Sequence, residues 1–150
     1  MKTKLILLTL ISTLTFAHEG VELGPNKGRI VEFSKNETMH GEVTLKDGKF
    51  QIALLDKDMK AVAVAAQTLT VTSGTAAKPE KVAVEKTATG FSIPVVKEGS
   101  LLVFQFRETE KAKPATARFT YDTANCEKCS SPEWLCKCEM NKAAEKKAKK

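Results

Sequence analysis

The chain has little of what most catalytic or nucleic-acid-binding proteins use. It has one Trp, one Tyr and two His in 150 residues, and aromatics make up 6% of it. So few aromatics leave no stacking platform for single-stranded nucleic acid. Two histidines without a supporting motif exclude the usual Ser-His-Asp arrangement, and no nucleophile elbow, P-loop or dinucleotide fingerprint occurs. Cysteine is absent before Cys126. No Cys follows the N-terminal apolar run, which argues against a lipid-anchored lipoprotein. That run is the chain's longest and is too short for a bilayer, which needs about 20 apolar residues. A basic surface is also missing from most of the chain. Residues 18–125 carry 15 Lys and Arg against 14 Asp and Glu, so most of the net charge of +6 lies outside them. A nucleic-acid binder wants a basic face on its folded part.

The N-terminus reads as an export signal. Met1-Lys2-Thr3-Lys4 is a short positive segment, Leu5 to Ile11 is apolar, and the run weakens through Leu14 and Phe16 to Ala17. Positive, apolar and small-residue regions in this order make a secretory signal peptide. The expectation is a signal at 1–17, no transmembrane segment after cleavage, and a periplasmic or secreted mature protein beginning at His18.

Between residues 25 and 125, helix-period patterns are scarce and strand patterns dense. Strands are expected at Gly28–Ser34, Met39–Leu45, Phe50–Leu55, Ala61–Ala66, Leu69–Thr72, Val82–Glu85, Phe91–Val95, Leu101–Arg107 and Thr116–Tyr121. Lys46-Asp47-Gly48-Lys49 is a hairpin turn, because Asp-Gly supplies the positive φ values a tight turn needs. Asp56 to Lys60 is a second turn, and Ser73 to Pro79 a loop of small residues. Short strands at this spacing predict an all-β domain over 18–125, a small antiparallel β-sandwich of immunoglobulin-like type, with a small closed barrel as the alternative. Residues 126–150 are different: four Cys, then Lys, Ala and Glu. They are expected to form a Cys-rich segment and a basic tail that is helical or disordered.

The cysteines carry the sharpest chemical signal. Cys126, Cys129, Cys136 and Cys138 lie within thirteen residues as C-x2-C-x6-C-x-C. Four thiolates this close suit one soft ion, Zn(II) or Cu(I). In an oxidising compartment they equally suit two disulfides, most easily in the nested (126–138, 129–136) or crossed (126–136, 129–138) pairing. Ser131-Pro132-Glu133 has the chemistry of a helix start. A helix running through both Cys136 and Cys138 would aim them about 200° apart. Either it stops before Cys136 or the two serve different partners.

A second ligand set is nitrogenous. With cleavage after Ala17, His18 offers its amine and imidazole to one ion, and His40 supplies another imidazole, a combination suited to copper. For His40 the bland alternative is a hydrogen-bonded strand histidine. Asp56 and Asp58 lack the spacing of a calcium loop and read as a solvated turn.

Gly24-Pro25 with Gly28-Arg29, His40 ahead of Glu42-Val43, and Leu54-Leu55-Asp56 together resemble the small periplasmic β domains of heavy-metal efflux systems. These occur alone or at the N-terminus of membrane-fusion subunits of cation efflux pumps. The resemblance covers residues 24 to about 64. It implies a metal ion and an efflux-pump component as partners, and it carries His40 over as a metal ligand. It departs at Asn26, which stands where such domains place a metal histidine within Gly-Pro-His-Gly-Gly, unless His18 takes that role. The resulting expectation is an exported, non-enzymatic copper- or zinc-binding protein with His18, His40, Cys126, Cys129, Cys136 and Cys138 as candidate ligands. The alternative is a disulfide-stabilised interaction module without metal. The intact mass of the exported protein should correspond to a chain starting at His18; any other start removes the amine-imidazole chelate.

Overall fold

A computed structural model describes residues 21–138. Among these described residues, nine strands form two antiparallel sheets. They are β1 (Arg29–Glu32), β2 (Met39–Lys46), β3 (Lys49–Asp56), β4 (Thr68–Thr75), β5 (Lys78–Val82), β6 (Glu85–Lys86), β7 (Gly90–Pro94), β8 (Leu101–Arg107) and β9 (Ala115–Thr120). One sheet has the order β1-β2-β3-β7-β6 and the other β5-β4-β8-β9. The domain is thus all-β with two sheets, as its alternating patterns predict. The strand order has its own pattern: the first three strands stay together in one sheet, whereas an immunoglobulin constant-type domain sends its third to the other. Among the described residues, no helix is long and apolar enough to cross a membrane.

Period-two alternation builds the core. Phe50, Ile52 and Leu54 of β3 point inward and are fully buried, as are Leu102, Phe104 and Phe106 of β8. The rings of Phe33 and Phe106 stack with centroids 4.5 Å apart. The turn between β2 and β3 takes the expected form, with Asp47 at φ 51° and Gly48 at φ 71°.

Three segments differ from expectation. Val82–Glu85 is no strand of its own: β5 ends at Val82, β6 begins at Glu85, and Ala83 and Val84 lie between them. Ala61–Ala66 forms no strand beyond a single bridge from Ala61 to Leu55. Val62 and Val64 still pack on the core, but their N–H groups go to the carbonyls of Leu54 and Ala88, outside any continuous ladder. Ser73–Pro79, expected as a loop, is mostly hairpin. β4 runs on to Thr75 and pairs with β5, Gly74 opposite Pro79 and Thr75 opposite Lys78. Pro79 is tolerated because β5 is an edge strand, where a missing N–H breaks no ladder.

A buried carboxylate organises one end of the sheet. Glu42 is 1% exposed. Its Oε1 accepts the backbone N–H groups of Asn26 (2.7 Å) and Gly28 (3.0 Å), and its Oε2 accepts the Asn26 side-chain amide (2.8 Å). A Cβ on Gly24 would stand 2.6 Å from the Glu42 carboxyl carbon, and one on Gly28 would stand 2.6 Å from the Val43 carbonyl. The Gly24–Gly28 loop must therefore lie flat against β2. Asn26 is thereby a donor to Glu42. Replacing Glu42 by Ala strands three N–H groups, two from backbone and one from the Asn26 side chain, and should lower stability by about 3 kcal/mol. Urea unfolding should show it as a lower midpoint at unchanged slope; a loss under about 1 kcal/mol would show that water replaces the carboxylate there.

Candidate metal centre

The chain leaves β9 and folds back on the sandwich. Glu133 N–H donates to the Ala124 carbonyl at 2.8 Å, Trp134 N–H to the Asp122 carbonyl at 3.0 Å, and Asn125 bridges to Pro132. A single 3₁₀ turn, Glu133–Leu135, presents Trp134 to the core. The indole sits among Phe50, Phe119 and Tyr121 with centroids 5.8, 5.9 and 5.7 Å away. It stacks on Phe119 and meets the other two edge-on, the arrangements that aromatic quadrupoles favour. Arg29 secures it from β1. Its guanidinium lies 4.8 Å from the centre of the Phe119 ring and donates to the Trp134 carbonyl at 2.9 Å. Burial pulls the Arg29 pKa down, so these contacts stand in for the lost water.

This docking shapes a knuckle around the first two cysteines. Cys126 N–H donates to the Ser131 carbonyl and Ser130 N–H to the Cys126 carbonyl, both at 2.8 Å. Ser130 takes the left-handed conformation, φ 57°, which turns the chain directly after Cys129. The 3₁₀ turn then stops at Cys136, whose φ of −76° and ψ of 122° are extended. The helix conflict anticipated from the sequence therefore does not arise, and Cys136 and Cys138 share one focus.

All four Sγ atoms lie within 4.8 Å of one another. Cys126 and Cys138 are 3.8 Å apart at sulfur, and Cys129 and Cys136 are 3.6 Å apart. A metal at about 2.3 Å from four tetrahedral thiolates sets sulfur–sulfur edges of about 3.8 Å. Two sulfur–sulfur distances match that edge, all four sulfurs lie within 4.8 Å of one another, and no disulfide joins them. Cys126 and Cys136 are buried, Cys138 is half-buried and Cys129 is exposed.

No family model, curated protein or solved structure matches the chain. The chemistry therefore rests on the four sulfurs and what surrounds them.

Backbone N–H groups donate to two of them, and one of the two is held toward thiolate. The backbone N–H and hydroxyl of Ser131 hold the Cys129 thiol down to about 7. Cys138 N–H donates to the Cys136 sulfur at 3.4 Å. That bond pulls the Cys136 thiol down, but contact with the Cys126 sulfur and burial outweigh it and the net shift is upward. Hydrogen bonds to the sulfurs of Cys129 and Cys136 push Cys138 up to about 12. Sulfurs this close keep protons between them, and a divalent cation at the centre would replace those protons.

The nitrogen candidates are placed elsewhere. His40 is 4% exposed on β2, opposite Glu32 of β1 in register. Its Nδ1 meets Glu32 Oε1 at 2.9 Å. This is the hydrogen-bonded strand histidine. Among the described residues the four cysteines are the only group of three or more His, Cys, Asp or Glu side chains that converges on a point, and His40 is outside it. His18 lies outside the described residues. Asp56 is a turn cap, accepting N–H from Asp58 and Lys60 at 2.9 Å each, and the Lys60 bond foremost lowers its pKa.

Sequence reasoning had not connected Trp134 and Arg29 to the site. The signal was there for Trp134: the chain's only Trp falls inside the six residues between Cys129 and Cys136, beside Leu135. An open cleft of about 350 Å³ beside it, floored by Tyr121 and Trp134, separates the knuckle from the Gly24–Gly28 loop and Leu45. Trp134→Ala should cost about 3–5 kcal/mol of stability. It should also weaken metal binding, because the loop between Cys129 and Cys136 loses its anchor. Thermal melts with and without Zn(II) test both; unchanged zinc affinity would show that the cysteines organise themselves without the sandwich.

Proposed function

We propose that the protein is an exported, non-enzymatic metal-binding protein that holds one Zn(II), or Cu(I), through Cys126, Cys129, Cys136 and Cys138. The observation that carries this is the convergence of four sulfurs within 4.8 Å, with two edges at 3.6 and 3.8 Å. Zn(II) is the better fit, since four thiolates in a tetrahedron complete its preferred coordination and leave no open position for substrate. Export is supported by the Met1–Ala17 pattern.

Buffering or delivery of the ion is supported by the asymmetry of the site. Two ligands are sheltered by the sandwich, while Cys129 and Cys138 form a solvent-facing edge that an incoming ligand can approach. The resemblance of residues 24–64 to efflux-associated periplasmic domains makes a heavy-metal efflux component the natural recipient. Here the Asn26 side chain serves the fold, through Glu42, and the thiolate site takes the place of a loop histidine. A nitrogen site of His18 with His40 is a separate Cu(II) reading. One observation favours it: Glu32 engages His40 Nδ1, the way carboxylates orient metal-binding imidazoles, and leaves Nε2 as the ligand atom.

The test is elemental analysis of untagged mature protein kept reduced, followed by Co(II) and Zn(II) titration. One ion per chain is expected, with the absorption of a tetrahedral tetrathiolate Co(II) complex, and it should vanish in the variant with all four Cys changed to Ser. Zinc binding should weaken as pH falls, because protons compete for the sulfurs. At pH 8 about three protons should leave per ion, since Cys129 is then already mostly thiolate. Protein that takes up neither Zn(II) nor Cu(I) when reduced sinks the thiolate site. Cu(II) uptake by oxidised protein, lost in His40→Ala, would move the metal to the nitrogen set.

A further inference from the structure

The four sulfurs are not equivalent: all lie within 4.8 Å of one another, and two contacts, at 3.8 and 3.6 Å, each join a buried sulfur to a more accessible one. Cys126 touches Cys138, and Cys129 touches Cys136. Each pair joins a sheltered sulfur to an accessible one: buried Cys126 with half-buried Cys138, and buried Cys136 with exposed Cys129. Thiol–disulfide exchange needs this division of labour. An accessible thiolate must meet the oxidant, and a neighbour within reach must resolve the mixed disulfide. The pairs are also nested in sequence, so neither closes the small strained ring that joining Cys136 to Cys138 would make.

We propose that the cluster has a second covalent state, in which a disulfide oxidant converts it to Cys126–Cys138 and Cys129–Cys136 and expels the metal. This rests on the metal-binding reading of the same residues and adds how the ion is released outside the cytoplasm. The Cys129 thiolate attacks one sulfur of an external disulfide RSSR and displaces RS⁻. Cys136 then attacks the Cys129 sulfur of the mixed disulfide, and the second RS⁻ leaves. The metal, reduced to two ligands, is lost as the second pair reacts with a second RSSR, Cys138 entering and Cys126 resolving. In total the tetrathiolate complex and two RSSR give two protein disulfides, four RS⁻ and one free Zn(II). Two electrons pass from each cysteine pair to each RSSR, and charge balances without a net proton.

The fold should survive the change. Each gap closes from 3.6–3.8 Å to about 2.05 Å between sulfurs that are already in contact. The loop carrying Trp134 stays closed at both ends, by a bond between Cys129 and Cys136 instead of by the ion. Metal release is thereby uncoupled from undocking of the indole.

Reduced, zinc-loaded mature protein is treated with oxidised glutathione while a chromophoric chelator reports free zinc. Disulfides are then mapped after cleavage with trypsin and chymotrypsin. Lys128, Trp134 and Lys137 separate the four cysteines, so each pairing gives distinct linked peptides. Stoichiometric zinc release is expected with only 126–138 and 129–136 linked, and with Trp134 fluorescence still that of a buried indole. Cys136→Ser should stop at a glutathione adduct on Cys129. Crossed or adjacent pairing, a persistent glutathione adduct on the parent protein, or retained zinc after both disulfides form would each overturn the proposal. Failure of the metal reading is seen separately, in the reduced protein before oxidant is added, and the disulfide map can still be made on metal-free chain. If Cys136→Ser does not fold, the map of the parent protein alone decides.

Discussion

Trp134 inserts between Phe50, Phe119 and Tyr121 from a stretch whose other side chains are mostly polar or thiol. That one insertion ties the segment from Ala124 to Cys138 to the sandwich. The backbone on either side of the indole has to reach the sheet, which brings Glu133 and Trp134 onto the carbonyls of Ala124 and Asp122 and turns Cys126 back on Ser131. Cys129 and Cys136 are left at the two ends of a loop whose middle is pinned. A thirteen-residue segment has far too little apolar surface to order itself. Borrowing the sandwich core removes most of the entropy that four free thiols would otherwise lose on closing around an ion.

The anchoring extends to charge. Arg29 is the one guanidinium that spans the junction, with its face over Phe119 and a donor on the Trp134 carbonyl. Glu42 performs a comparable task at the Gly24–Gly28 loop, as a buried anion surrounded by N–H donors. Both charges sit on the first two strands. β1 and β2 therefore also serve as a frame on which two non-strand segments, one before and one after the sandwich, are fastened. The cleft between those segments follows from this framing.

Export, as proposed, would impose its own constraint on the sulfur chemistry. Free thiols outside the cytoplasm tend to oxidise, and four placed together do so readily unless a metal holds them. A site with two sheltered and two accessible sulfurs answers both demands: the sandwich side holds geometry, and the open side permits exchange. Hydrogen bonds from Ser131 favour thiolate at Cys129, the exposed sulfur, where a cation would first be engaged.

The sequence alone determined the all-β class, the Asp47-Gly48 hairpin, the bounds of β8 and the crowding of four cysteines. These are local properties: period-two burial, positive φ at one turn, and spacing along the chain. It did not determine that Ala61–Ala66 would lie beside the sheet without joining it, or that Lys78–Val82 would pair with β4. Those outcomes depend on which strand has a free edge, a non-local fact. Nor did it choose between His40 as ligand and as strand residue; the neighbour that engages its Nδ1, Glu32, is brought there by strand register. The number and spacing of the thiols were readable, but whether their sulfurs would meet was not. That depended on a 3₁₀ turn ending before Cys136, with Trp134 packed on a core that Phe50 of β3 shares with Phe119 and Tyr121. Cysteine chemistry is written in the chain; the convergence of the sulfurs is assembled by packing.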